Sequence, residues 1–164
     1  MQLTLKTQRL AKIAPFAALE SEAVRLLAFD GQEITLDPEA ELFRQGELAD
    51  GGYAVLSGCV ALERQAEIPT PVRLMNAGSL IGMHALIVPC ERPATATVRE
   101  TCFLIRLPRI LMLRVLDAFP DSAIAFKQYL EEGLTEQANA LGRIADAIDV
   151  VARSYGSRES MTGT

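Results

Sequence analysis

The chain has 164 residues and a formal net charge of −5, with 16 Lys and Arg against 21 Asp and Glu. That length suits one domain with one real core and leaves no room for a second large unit. Apolar residues at 49% and aromatics at 5%, with no Trp, describe a globular chain with an aliphatic core and exclude disorder of the whole.

The acidic balance provides no basic field to gather phosphate backbones, so no DNA binding by this chain is expected. Apolar runs such as Leu86 to Cys90 stay far below the roughly 18 residues of a membrane span. Lys6 and Arg9 interrupt the first ten residues, unlike a signal peptide's apolar stretch. A cytoplasmic protein without membrane attachment is expected. Cys59, Cys90 and Cys102 form no C-x-x-C pair and lie in apolar runs, where free Cys packs as a small hydrophobe; neither a disulfide framework nor a metal site is expected.

In chain order, apolar spacing predicts two short helices within residues 1–30, over Thr7 to Ile13 and Glu20 to Phe29, separated at Pro15. Residues 31–107 read as strands: Gln32 to Leu36, Ala40 to Phe43, Tyr53 to Leu56, Cys59 to Arg64, Val72 to Met75, Ala94 to Arg99 and Cys102 to Leu107. Turn signals at Gly46, Gly51-Gly52, Ser57-Gly58, Gly78 and Pro89 punctuate them, and Ser57-Gly58 reads as a tight hairpin. This spacing suggests a barrel or sandwich.

Helical spacing returns over residues 108–154. Pro108 suits a first helical position, and Pro120 opens a longer segment. Within it, Leu130, Leu134, Gln137, Leu141, Ile144, Ile148 and Val151 alternate steps of four and three, the seam of a coiled coil broken only by Gln137. An unbroken helix from Asp121 to Ser154 would be roughly 50 Å long at 1.5 Å per residue, longer than a compact domain covers. A homodimer through this seam is expected; the alternative is a helix broken at Gly133 or Gly142 that folds back on its own barrel. Residues 155–164 read as a polar tail.

Several ordered motifs give this arrangement a family resemblance. They are Leu42-Phe43-Arg44-Gln45-Gly46-Glu47-Leu48-Ala49-Asp50, Tyr53 to Val60, Gly78-Ser79-Leu80-Ile81-Gly82-Met83-His84-Ala85-Leu86, and Ala96-Thr97-Val98 followed by Leu104 to Arg109. Together the chain resembles the cyclic-nucleotide-binding domain of the catabolite-activator (CRP-FNR) type, from Ile13 to about Val151. The resemblance implies an α+β fold: a jelly-roll-like β-roll, or double-stranded β-helix, with flanking N-terminal helices and a long C-terminal dimerisation helix.

In that family a phosphate-binding cassette offers backbone N–H groups to the cyclic phosphate. A Glu after its second glycine takes the ribose 2′-OH, and an Arg at the next strand pairs with the phosphate. The glycines correspond to Gly78 and Gly82. Met83 stands at the Glu position, where a thioether is a weak acceptor. In the register set by Ala96-Thr97-Val98, Ala94 stands at the Arg position, with Arg92 two residues upstream beyond Pro93. The candidate pocket is therefore Gly78, Ile81, Gly82, Met83, His84, Ala85, Arg92, Ala94 and Thr95, with Arg73 and Thr97 nearby. Either it packs without a nucleotide or it suits another small molecule, of unknown identity; cyclic AMP and cyclic GMP are not expected to bind in the usual way.

His84, the one histidine, lies where carbon-monoxide-sensing relatives place a haem ligand beside a Cys. Here the Cys is missing, and a packed or solvated side chain is the expectation. Oxygen-sensing relatives hold an iron–sulfur cluster through N-terminal cysteines, and no Cys precedes Cys59. The family's transcription factors add a helix-turn-helix after the long helix, and only ten residues follow Ser154 here. No nucleophile and base pair can be nominated, so an enzyme is not expected. Three functions remain open: a stand-alone sensor acting as a homodimer on a partner protein, a ligand-free dimerisation module, or a cyclic-nucleotide-binding transcription regulator lacking its DNA-binding domain.

Overall fold

The computed structural model describes residues 1–140, with the helical backbone alone over residues 134–140. Residues Met1–Phe126 form one compact unit and a second begins at Lys127. Three helices open the chain: α1 (Leu3–Ala11), α2 (Ala14–Ala17) and α3 (Ser21–Asp30). Pro15 sits in the first turn of α2, where its missing N–H costs no hydrogen bond. Leu10, Ile13, Phe16, Val24 and Leu27 are buried, so this helical face belongs to the core.

Eight strands follow among the described residues: β1 (Gln32–Leu36), β2 (Glu41–Phe43), β3 (Leu48–Ala49), β4 (Gly51–Glu63), β5 (Arg73–Asn76), β6 (Leu80–Ile81), β7 (Cys90–Glu91) and β8 (Thr95–Pro108). Six of them make one antiparallel sheet in the order β1-β8-β4-β5, with β2 added on β8 and β6 on β4; β3 and β7 pair separately. Phe43, Tyr53, Val55, Val60, Met75, Ile81, Ala96, Val98, Cys102 and Leu104 form a core cluster. The β-roll with flanking helices agrees with the fold expected from the sequence.

Two strand expectations are corrected. Ser57-Gly58 is no hairpin, because β4 runs through it and pairs with β8 from Gly51↔Pro108 to Glu63↔Thr95, with register shifts between Val55 and Val60. Gly58 has φ +88°, and a Cβ there would lie 2.3 Å from the Thr101 carbonyl oxygen. The glycine thus serves a bulge that lets two long strands twist together. Ala94 to Arg99 and Cys102 to Leu107 are likewise one strand, β8.

Helix α4 (Arg109–Ala118) starts after Pro108, which caps it in an extended conformation instead of occupying its first turn. Its Leu111, Met112 and Val115 are buried, and α4 packs on α3. Helix α5 (Pro120–Ala140) opens at Pro120 as expected and continues through Gly133. Within the first unit, Ser122 is buried and its Oγ accepts a 2.9 Å hydrogen bond from the Glu20 N–H, joining the start of α5 to the entry of α3. Of the seam residues, Leu130 is half-buried; the side chains of Leu134 and Gln137, and all of Leu141, Ile144, Ile148 and Val151, lie outside the described residues. So does the tail.

Cys59 and Cys102 are buried free thiols and Cys90 is half-buried. Burial pushes the Cys102 thiol up, although the Cys59 carbonyl oxygen lies within hydrogen-bond reach at 3.3 Å. That is the behaviour of a packing cysteine. Among the described residues no helix is long and apolar enough to cross a membrane.

Candidate functional site

The segment between β5 and β8 forms a cassette on one side of β4. Gly78 turns the chain with φ +91°, and its N–H donates to the Val55 carbonyl at 2.8 Å, while the Val55 N–H donates to the Ser79 carbonyl at 2.9 Å. Strand β6 then pairs with β4 through Tyr53↔Ile81 and Ala54↔Leu80. Gly82, at φ +78°, leaves the strand and leads into a one-turn 3-10 helix, His84–Leu86. Positive φ is costly for residues with a Cβ, so both turns suit glycine.

Met83 is half-buried at the head of that turn and His84 is exposed; Ala85 and Leu86 are buried beneath it. The turn is anchored from α4. Arg109 Nη1 lies 3.1 Å from the Ala49 carbonyl, 3.2 Å from that of Ala85 and 3.3 Å from that of Val88. One guanidinium therefore ties the cassette to β3 and to the start of α4.

Arg92 is the central charged group. Its backbone is fixed to the Gly46-Glu47 turn, because its N–H donates to the Glu47 carbonyl at 2.8 Å and its carbonyl accepts from the Gly46 N–H at 2.9 Å. Its side chain is only 5% exposed. Nη2 donates to the Gly51 carbonyl at 2.8 Å. The guanidinium carbon stands 4.3 Å from the Phe43 ring centroid and 5.6 Å from that of Tyr53, and the two rings stack 6.0 Å apart. A Cβ built on Gly82 would come within 2.5 Å of Nη1, so the glycine is what lets the guanidinium lie against the cassette backbone.

Burial pushes the Arg92 pKa down from the usual arginine value, and the nearby Tyr53, Asp50, Cys90 and Glu47 oppose the shift. An arginine stays protonated at neutral pH under such conditions, so a full positive charge is held in the site.

The cassette thus gathers Gly78, Ile81, Gly82, Met83, His84, Ala85 and Arg92. Arg92, and not Ala94, brings the guanidinium to it. Because β8 begins only at Thr95, Arg92 lies in the connection after β7, and the strand repeat that separates it from position 94 does not govern its reach. Ala94 is half-buried and contributes no polar group. The Thr95 hydroxyl accepts a 3.0 Å hydrogen bond from the Gln45 N–H. Arg73 is exposed on β5, opposite Leu62. Sequence reasoning missed the roles of Phe43, Gly51, Tyr53 and Arg109. Phe43 and Tyr53 stand in the quoted motifs, in a chain with only 5% aromatics, and that scarcity was the available signal.

Residues 33–119 match the family model of the cyclic nucleotide-binding domain, and the chain belongs to that family. The chain is similar to the corresponding domains of CRP-FNR-type transcription regulators. It is 28% identical to a cyclic nucleotide-binding-like protein from Brucella abortus, with a TM-score of 0.61 over 68% of this chain and 97% of that one. The N-terminal domain of a transcriptional regulator from Streptomyces coelicolor is 28% identical, with a TM-score of 0.72 over 80% and 94% of the two chains. The catabolite activator protein of Thermus thermophilus is also 28% identical, with a TM-score of 0.68 over 80% of this chain; the match spans 62% of the Thermus protein. No curated protein sequence matches the chain.

Proposed function

We propose that the chain is a sensor domain that works as a homodimer and does not take cyclic AMP or cyclic GMP in the usual way. The observation that carries this reading is the pairing of Met83 with a caged Arg92. The position that would receive the ribose 2′-OH offers only a thioether, and the guanidinium that would meet the phosphate is already held by Phe43, Tyr53 and the Gly51 carbonyl. The a/d seam from Leu130 to Val151 supports the dimer, and through it the pocket would act on a partner protein.

A thermal-shift series tests the ligand side, since a binder raises the midpoint with the logarithm of its concentration over Kd. No shift with cyclic AMP or cyclic GMP and a concentration-dependent shift with another small metabolite is the expected result. Low-micromolar binding of either cyclic nucleotide would overturn the reading. A panel without any binder favours the second reading, a ligand-free dimerisation module, which the caged arginine also supports.

A further inference from the structure

The Arg92 guanidinium is buried, yet no carboxylate lies within ion-pair distance of it among the described residues. Its surroundings are those of a cation receptor. Aromatic faces are negative at their centres, and a carbonyl oxygen offers a lone pair; both attract a guanidinium and repel an anion. The backbone on either side of the side chain is pinned by the Gly46 and Glu47 hydrogen bonds, so the cation is delivered from a fixed root. Gly82, with no Cβ, leaves room for Nη1, which a side chain there would meet at 2.5 Å.

The geometry points to Arg92 as the pocket's own occupant: an internal cationic ligand that latches β2, β4 and the cassette together and must leave the Phe43–Tyr53–Gly51 cage before an anionic effector can pair with it. This rests on the reading of residues 78–95 as the pocket. It adds a regulatory contact, in which the free energy holding the latch opposes ligand binding. An anion approaching the caged guanidinium would meet it with one donor spent on Gly51 and with the Phe43 ring close against it. It would also face two ring quadrupoles of its own sign. Effector affinity is therefore lowered by the fraction of time the latch is closed.

Chemical rescue tests the latch. Arg92→Ala should lower the thermal midpoint by about 2–8 °C. Methylguanidinium at about 20 mM, compared with equimolar ethylammonium, should restore part of that loss in the variant and none in the wild type, in proportion to the logarithm of its free concentration. Inorganic phosphate should not shift the wild type beyond a chloride control of matched ionic strength. An Arg92→Ala protein as stable as wild type, or one that ethylammonium and methylguanidinium stabilise equally, overturns the latch.

Should Arg92→Ala fail to fold, arginine side-chain nitrogen spectra of the wild type decide. A distinct, slowly exchanging Arg92 guanidinium that phosphate leaves unmoved supports the latch; a signal averaged with the exposed arginines overturns it. Phosphate stabilisation that requires Arg92 overturns the latch alone and leaves the sensor reading standing. Tight cyclic nucleotide binding that survives Arg92→Ala overturns the sensor reading and leaves the latch.

Discussion

Arg92 and Phe43 lie 49 residues apart in the chain, yet the guanidinium carbon of one stands 4.3 Å over the ring centre of the other. A contact of this kind is worth about 0.5–2 kcal/mol when desolvated. Arg92→Met keeps an apolar stem in the cage and Phe43→Leu keeps an apolar neighbour, so a double-mutant cycle on these two isolates the cation–ring term. Urea midpoints should show coupling of about 0.5–2 kcal/mol, and additive effects would mean that the two groups merely share a core.

The cassette prediction concerns position 83. A charged acceptor for a hydroxyl contributes about 1.5–3 kcal/mol, which corresponds to about a ten- to hundredfold gain in affinity. Met83→Glu should raise cyclic AMP affinity by that factor in calorimetry, while the caged Arg92 keeps the absolute affinity low in both proteins. Equal, negligible binding by both proteins would mean that the cassette amides are not open to a phosphate.

What the sequence made legible, and what it hid, follows from the range of the forces involved. The two longer N-terminal helices, the glycine turns at 78 and 82 and the longer strands depend on local spacing, and they were readable; α2, which holds Pro15 in place of a break between helices, and the two-residue strands β3, β6 and β7 were not. The Ser57-Gly58 signal was readable but ambiguous, since a glycine with positive φ serves a hairpin turn and a bulge equally well. Only the partner strand decides between them, and the residues of β8 that pair there lie more than 40 positions away. The place of Arg92 was hidden for a related reason. Its register was counted along a strand that begins three residues later, and its cage is assembled from β2 and β4.

Two glycines separate conformational strain from crowding. Gly46 has φ +89° with open space about it, whereas Gly58 has φ +88° against the Thr101 and Cys102 backbone. Gly46→Ala should cost about 1–2 kcal/mol, the left-handed penalty alone. Gly58→Ala should cost more, because β4 and β8 must also part. Chemical denaturation of both variants checks the order, and a reversal would place the bulge elsewhere.

At the surface, Lys6 Nζ lies 2.7 Å from Glu33 Oε1. This hydrogen bond holds the Glu33 carboxyl below its ordinary value of 4.5. A folded pKa below the unfolded one gives a contribution that is present above the unfolded value and is lost as pH falls through the folded value. Stability should therefore decline below about pH 4.5 less steeply in Glu33→Gln than in the wild type, and the two curves should have parallel slopes at neutral pH. Identical acid limbs would show that the pair adds nothing, as is common for exposed ion pairs.

The dimer prediction is made from sequence spacing alone. Leu141→Glu would place a carboxylate in the apolar seam and should split the dimer in sedimentation at micromolar concentration. A wild-type chain that sediments as a monomer would end the proposal of a seam.

The pairing of β4 with β8 also bears on how the chain reaches its fold. Its inner end joins Glu63 to Thr95 and its outer end joins Gly51 to Pro108, so every rung closes a loop of more than 30 residues before it gains a hydrogen bond. Such contacts carry a high entropic charge at the transition state, and chains dominated by them fold over milliseconds to seconds. Strands β1 and β2 join β8 only by closing loops of more than 50 residues, whereas β5 joins β4 across the short connection between Leu62 and Arg73 and limits nothing. Assembly of the sheet is thus expected to be limited by the long-range pairings on β8. Refolding should show a single slow phase whose rate falls with substitutions at Val60 or Val98 and is barely changed by substitutions at the edge strand β5.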